Sequence, residues 1–169
     1  MFKQLLCLLF FVISFSSFAG EYQTNEEFLQ QAFVGQAVPK AKLLWIKSPL
    51  KQTVADILQH RPSFLRTRYW QLDNKTVWIL NETGKTKPIS VGIIIENNQI
   101  SLVKVLAFRE SRGWEVKHDF FTNQFKQAQL TDNQKLSQPI DGISGATLSV
   151  RALTKLSTLA LVFNQHIQP

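Results

Sequence analysis

Four segments rich in β-branched and aromatic residues follow one another in the middle of the chain, and short polar stretches separate them. The segments are Arg66–Leu72, Thr76–Leu80, Ile89–Ile95 and Ser101–Glu110. These residue types favour strands, and connections such as Asp73-Asn74 and Asn97-Asn98 favour tight turns. Because connections this short join antiparallel neighbours, the sequence predicts an antiparallel meander.

Helical patterns flank this strand-rich region on both sides. The further predicted elements are a helix within residues 21–33 that is capped by Thr24 or Asn25 and ends at Gly35, a strand over Val38–Ile46, a helix over residues 52–59, a helix over residues 120–125 and a closing helix after Thr147. This order predicts an α+β fold, a single domain in which helices flank an antiparallel β-sheet.

The nine residues from Asp141 to Ser149, D-G-I-S-G-A-T-L-S, precede the closing helix. Glycine, serine and alanine in so short a span indicate a tight turn whose backbone can approach another group closely. Thr147 lies where the helical pattern begins, and free N–H groups and the helix dipole favour an anion at that place. The segment therefore predicts a phosphate site. An ordinary turn that Ser144 or Thr147 caps is the alternative.

This segment resembles the signature of the FMN-binding domain family, whose members include flavin-carrying components of the sodium-pumping NADH:quinone reductase and of the related Rnf complex. The signature, close to D-x-x-[S/T]-G-A-T-x-[S/T], is met at every fixed position. Those positions are Asp141, Ser144, Gly145, Ala146, Thr147 and Ser149, with Gly142, Ile143 and Leu148 between them. The resemblance implies that Thr147 carries FMN through a phosphoester bond.

The resemblance extends from roughly Ile89 to His166. A family turn of the form E-T-P-G corresponds to residues 110–113, E-S-R-G, which Trp114 follows, and the family segment F-x-x-Q-F corresponds to Phe121–Phe125. The turn departs from the family pattern, because Ser111 replaces threonine and Arg112 replaces proline. Residues 21–88 carry no recognisable motif.

Roles follow for the other residues near the expected cofactor. Backbone donors of Ser144, Gly145 and Ala146 would line the phosphate. Asp141 would orient the Thr147 hydroxyl or bind the metal of the modifying enzyme, or else serve only as a turn residue. The remaining expected cofactor neighbours are Gly142, Leu148, Glu110, Arg112, Gly113, Trp114 and Arg151. Of these, Trp114 is alternatively a packed side chain and Arg151 a solvated one.

The N-terminus has the form of a secretory signal peptide. A single positive charge at Lys3 precedes an almost wholly apolar run over residues 5–18, and Ser17-Phe18-Ala19 fits a small-x-small cleavage site. We therefore predict that residues 1–19 are cleaved and that residues 20–169 form an FMN-binding domain that is periplasmic or otherwise exported. An uncleaved membrane anchor is the alternative, although the run is shorter than the roughly 20 residues that span a membrane.

Cysteine usage restricts the redox chemistry of the mature chain. The only cysteine, Cys7, lies within the predicted signal peptide. Disulfides, cysteine-ligated iron–sulfur clusters and thioether-bound haem are therefore excluded from the mature chain. The three histidines are scattered and lack the spacing of a zinc helix, so no metal site is predicted. A redox role would need an organic cofactor.

Basic residues concentrate in the first half of a chain whose formal net charge is +7. They are Lys40, Lys42, Lys47, Lys51, Arg61, Arg66 and Arg68. No run is long enough to suggest nucleic-acid binding. The residues form a solvated surface, or they attract anionic lipid or an acidic redox partner. Peripheral membrane association is thus one of the interpretations.

Both ends of the sequence together predict an exported electron-transfer flavoprotein, a carrier rather than an enzyme. The resemblance implies that an FAD:protein FMN transferase donates the covalent FMN from FAD. Electrons would pass between a membrane reductase and a periplasmic or extracellular acceptor. A stand-alone FMN-dependent reductase of a small substrate and a non-redox binding module on the same fold are the alternatives. The sequence shows no paired acid and base residues for the first of these.

Overall fold

The strand-rich middle of the chain forms the centre of a six-stranded antiparallel sheet in the computed structural model, which describes residues 20–168. In chain order the strands are β1 (Gly20–Glu21), β2 (Lys42–Trp45), β3 (Arg66–Leu72), β4 (Lys75–Thr83), β5 (Pro88–Glu96) and β6 (Gln99–Phe108). Their spatial order is β1-β6-β5-β4-β3-β2. The predicted meander is therefore confirmed. Its last strand, β6, also pairs with β1, which comprises the first two described residues.

Helices cover both faces of this sheet. They are α1 (Asn25–Ala32), α2 (Leu50–Leu58), α3 (Asp119–Thr122) and α4 (Thr147–Ile167), with single 3-10 turns at Trp114–Lys117 and Asn123–Phe125. Helix α1 begins with a capping box, in which Thr24 Oγ1 accepts from the Glu27 N–H and the Glu27 carboxylate accepts from the Thr24 N–H. The predicted α+β fold with an antiparallel sheet flanked by helices is confirmed.

Several predicted boundaries were wrong. The strand expected over Val38–Ile46 is confined to Lys42–Trp45, since Pro39 has no N–H to donate and Val38 is exposed. The single helix expected over residues 120–125 is one short α-helix followed by a 3-10 turn. The first helix ends at Ala32 rather than continuing to Gly35, which adopts a φ of +79° in the following turn.

Two apolar cores lie on opposite faces of the sheet. Helices α2 and α4 cover the larger core, where Trp78 stacks on Tyr69 with a centroid distance of 4.9 Å. Helix α1 covers the smaller core through Phe28, which is fully buried against the sheet. A Cβ at Gly92 would lie 2.4 Å from the Phe28 ring, so only glycine allows this close approach.

A buried polar chain fixes helix α4 against the sheet. Thr76 Oγ1 donates to Asn164 Oδ1 at 2.6 Å, and the Trp78 indole N–H donates to Thr76 Oγ1 at 3.0 Å. The Asn164 amide also donates to Asn98 Oδ1. Because each of these buried groups has a partner, the contacts favour one position of α4 along the sheet. The position of Thr147, the first residue of α4, follows from that arrangement.

Candidate functional site

The turn before α4 presents Thr147 to solvent. The Ala146 N–H donates to the Ile143 carbonyl at 3.0 Å, and Gly145 adopts a φ of +81° between them. Ala146 and Ser149 are buried, whereas Thr147 is exposed. No side chain caps the start of α4. The backbone N–H groups of the first turn, at Thr147 and the two residues that follow, therefore remain without a helical partner and can donate to an anion.

The turn over residues 110–113 packs directly against this helix start. Gly113 has a φ of +83°, and a Cβ at this position would lie 2.6 Å from Ser149 Oγ and 3.4 Å from the Ala146 Cα. Glycine is thus required both by the left-handed backbone and by the close approach. The contact places the predicted family turn beside the predicted attachment segment, although Arg112 and Ser111 replace the residues of the family pattern.

Glu110 connects the same turn to the loop between β4 and β5. Its Oε1 accepts from the backbone N–H groups of Lys85, Thr86 and Lys87 at 2.5, 2.5 and 2.8 Å, and its Oε2 accepts from the Thr86 hydroxyl. Desolvation works to raise the pKa of the Glu110 carboxyl, but these donors together outweigh it and hold that pKa below its ordinary value. Glu110 is therefore a structural anion that shapes one wall of the site.

The loop at Lys85, the turn at Glu110 and the start of α4 line a solvent-open cavity of about 310 Å³ beside Thr147. Its lining comprises Lys85, Glu110, Ser111, Arg112 and Gly145–Ser149. Lys85 and Arg112 carry positive charge, while Glu110 is already engaged by the loop. A phosphate at the start of α4 would thus have backbone donors, an adjacent hydroxyl and two cations nearby. The donor set fits a phosphate group.

A second cavity of about 460 Å³ lies on the other side of Leu148, which lines both. His60 Nε2 lies 2.9 Å from Oε1 of the buried Glu82 carboxylate in this second cavity. The hydrogen bond to Glu82, with a further one to the Arg61 carbonyl, raises the pKa of His60 above its ordinary value. Arg151 lines this cavity rather than the one beside Thr147 and Arg112.

Three other predicted residues, Asp141, Gly142 and Ser144, are exposed. The backbone N–H of Asp141 donates to Gln124 Oε1 at 2.7 Å. No hydrogen bond within residues 20–168 joins its carboxylate to Thr147, so an orienting role stays a prediction. Ser144 is exposed in the turn, and Gly142 has nothing within 4 Å of its Cβ position.

Trp114 stands apart from the lining of the Thr147 cavity. Its side chain is 47% exposed and contacts His118 edge-on, with a centroid distance of 5.4 Å. The Lys117 ammonium lies 5.2 Å from the centroid of the Trp114 ring and 4.2 Å from that of the Tyr22 ring. Trp114 is thus only partly packed, and its contact with the flavin ring stays a prediction.

Sequence reasoning missed several residues of the site. Lys85 lines the cavity, and Gln124, the glutamine of the F-x-x-Q-F segment, accepts from the start of the attachment segment. His60 and Glu82 come together across 22 positions of sequence. The family pattern could have indicated Gln124. No local sequence signal marks Lys85, His60 or Glu82, because long-range pairing brings these residues to their positions.

Within residues 20–168, no group of three or more histidine, cysteine, aspartate or glutamate side chains could hold a metal ion. In the same part of the chain, no helix combines the length and apolar character needed to span a bilayer.

Comparison with known families identifies one match. Residues 84–162 match the family model described as the FMN-binding domain. This confirms, over those residues, the resemblance that the signature indicates, and it supports FMN binding. The matched segment contains the loop after β4, the turn at Glu110 and the attachment segment, whereas His60 and Glu82 precede it. Comparisons with curated proteins and with solved structures found no match.

Proposed function

We propose that this protein, whose residues 84–162 match the FMN-binding domain model, is an exported electron carrier with FMN attached covalently to Thr147. One observation carries the assignment of the acceptor residue. Thr147 is exposed at the first residue of α4, beside backbone donors that no side chain caps. A phosphoester at its hydroxyl would place the phosphate against those donors and the positive end of the helix dipole.

The surrounding residues have distinct tasks in this proposal. The N–H groups of the first turn donate to the phosphate, and Lys85 and Arg112 offset its charge. Glu110 holds the loop before β5 so that Lys85 stays beside the site. Leu148, which is 40% exposed, offers an apolar contact between the two cavities. Bound FMN supplies reversible electron transfer, and these residues supply orientation and charge.

Attachment would require a separate transferase. Within residues 20–168, no hydrogen bond holds the Thr147 hydroxyl to a base, and an unactivated hydroxyl is a weak nucleophile. We propose that an FAD:protein FMN transferase activates it. Thr147 Oγ1 then forms a bond to the FMN phosphorus of FAD, the pyrophosphate bond breaks, AMP leaves, and the transferase accepts the hydroxyl proton.

We further propose that the protein is exported and exchanges electrons with redox partners there. The apolar sequence over residues 5–18, with the small-x-small site at Ala19, supports export and cleavage. An exported carrier that uses a tethered flavin cannot lose its cofactor by diffusion. Its donor would be a membrane reductase, and its acceptor a periplasmic or extracellular redox protein or terminal reductase.

The test is the intact mass of the protein after export from cells that also contain an FAD:protein FMN transferase. Under denaturing conditions we expect a mass increase that equals FMN minus water, and digestion should assign it to the peptide containing Thr147. T147A should show no adduct, because it lacks the hydroxyl that forms the ester.

Two matched variants make the test specific. S144A removes the neighbouring hydroxyl of the same exposed turn and should keep the adduct, whereas T147S retains a hydroxyl and should regain part of the labelling that T147A loses. An adduct that survives in T147A would contradict the assignment of Thr147. An unmodified wild-type mass, alongside a labelled control flavoprotein from the same cells, would contradict covalent attachment.

A further inference from the structure

The edge of the sheet formed by β2 and β3 leaves apolar side chains exposed. Leu43 and Trp45 are 47% and 50% exposed, while Leu44 between them is buried in the larger core. Side chains alternate between the two faces of a strand, so the exposed pair points away from that core. Adjacent exposed side chains of this size commonly mark an interaction surface.

Two arginines lie among these apolar groups. In the β2–β3 ladder, Leu43 pairs with Arg68 and Trp45 pairs with Arg66, which places all four side chains on the same face. The Arg66 guanidinium lies over the Trp45 ring, 5.3 Å from its centroid. We call this surface, formed by Leu43, Trp45, Arg66 and Arg68, the β2–β3 face. It joins apolar and cationic groups, which is the combination found at membrane interfaces.

The charge of the surrounding sequence has one sign almost throughout. Between Glu27 and Asp73 the chain contains four lysines and three arginines, and the only acidic residue in this interval is Asp56. Asp56 lies on α2, which packs against the opposite face of the sheet. The charged side chains of the β2–β3 face itself are both arginines. A surface of this charge attracts an anionic partner.

The ladder between β3 and β4 leaves an opening beside the arginines. The paired residues of this ladder begin at Tyr69 with Trp78, and a cavity of about 420 Å³ lies next to the earlier part of β3. Its lining includes Arg66, Arg68, Trp70 and Ile79, together with leucines of α4. The lining is mixed, because Asn25, Ser63, Thr67 and Asn81 accompany the apolar side chains. The two arginines give this recess the positive charge that attracts an anionic lipid headgroup.

We propose that the β2–β3 face binds the surface of a membrane that contains anionic phospholipid. The aromatic and aliphatic side chains would enter the interfacial region while the arginines contact the headgroups. The proposal does not depend on flavin attachment.

The experiment measures vesicle binding by sedimentation. It uses a chain that begins at Gly20, because the apolar sequence before it would itself bind lipid, and because both cores lie within residues 20–168. Vesicles of phosphatidylcholine with one quarter phosphatidylglycerol are compared with pure phosphatidylcholine at 0.1 M salt. We expect binding to the anionic vesicles only, and a loss of binding as salt rises.

Variants assign the binding to the β2–β3 face. R66Q/R68Q should weaken binding more than tenfold, since each basic residue near an anionic surface contributes roughly fivefold. K126Q/K135Q removes the same charge from two exposed lysines elsewhere and should change binding by less than threefold. W45S keeps the charge and should weaken binding several-fold. Thermal unfolding of each variant checks that the fold is retained.

Three results would overturn the proposal. The first is an absence of binding to anionic vesicles by the wild type. The second is an equal loss in R66Q/R68Q and K126Q/K135Q, which would indicate attraction through net charge alone. The third is retention on immobilised polyglutamate, dependent on Arg66 and Arg68, without vesicle binding, which would assign the face to an acidic protein partner. Because the protein is used without flavin, none of these results bears on Thr147.

Discussion

At the scale of single residues, Gly113 is a position of the site where an added side chain should be destabilising. Its φ of +83° and the 2.6 Å separation that an added Cβ would have from Ser149 Oγ both disfavour a side chain. We predict that G113A lowers the free energy of unfolding by about 2 kcal/mol, from left-handed backbone strain and the forced shift of the α4 start. Chemical denaturation monitored by circular dichroism measures this change.

A matched glycine gives the control for that substitution. Gly142 lies in the attachment segment, has no positive φ and has nothing within 4 Å of its Cβ position. G142A should therefore change the free energy of unfolding by less than about 0.5 kcal/mol. Equal losses in G113A and G142A would show that the packing of Gly113 on Ser149 is not the cause.

At the scale of secondary-structure elements, Glu110 joins the end of β6 to the loop between β4 and β5. Three backbone N–H groups and one hydroxyl donate to its carboxylate, and the pKa of this carboxyl is lowered in the folded state. A lowered pKa stabilises the fold above the unfolded value of about 4.3, and this contribution is lost as pH falls through the folded value.

We therefore predict that E110Q is less stable than the wild type by roughly 1 kcal/mol at pH 7, because a neutral acceptor forms weaker hydrogen bonds. The difference should shrink as the pH falls below about 4. Melting temperatures of both proteins from pH 7 to pH 3 measure it, and the other carboxylates are the same in both chains. Melting curves that stay equally separated over this range would contradict the role of the charge.

The elements also show what the sequence could predict. Local signals were sufficient for β3, whose bounds were predicted correctly, and for the start of α4 at Thr147. The split of the predicted helix over residues 120–125 could not be predicted, since it depends on packing against β6. At the site, the attachment segment has a signature of its own. Lys85 and His60 reach their positions through strand pairing and the path of the loops, which local sequence does not encode.

At the scale of the whole molecule, the family match begins at residue 84, but the fold does not. Strand β4, which precedes the match, pairs with β5 along nine residue pairs. Trp78 of β4 lies against Phe163 of α4, with a centroid distance of 5.6 Å. On the opposite face, α1 buries Phe28 over Gly92. The matched segment therefore depends on residues 20–83 for both of its cores.

A fragment tests this dependence directly. We predict that residues 84–168 alone do not fold, because losing a buried aromatic side chain costs about 3–5 kcal/mol, and the fragment lacks both Trp78 and Phe28. Two such losses approach or exceed the total stability of a typical domain, about 5–15 kcal/mol. The expected results are poor dispersion of amide proton shifts and no cooperative thermal transition, whereas residues 20–168 should show wide dispersion and a cooperative transition. A cooperative transition in the fragment would mean that β5, β6 and α4 form a sufficient core without β4. Residues 20–83 would then contribute to binding rather than to the stability of the fold.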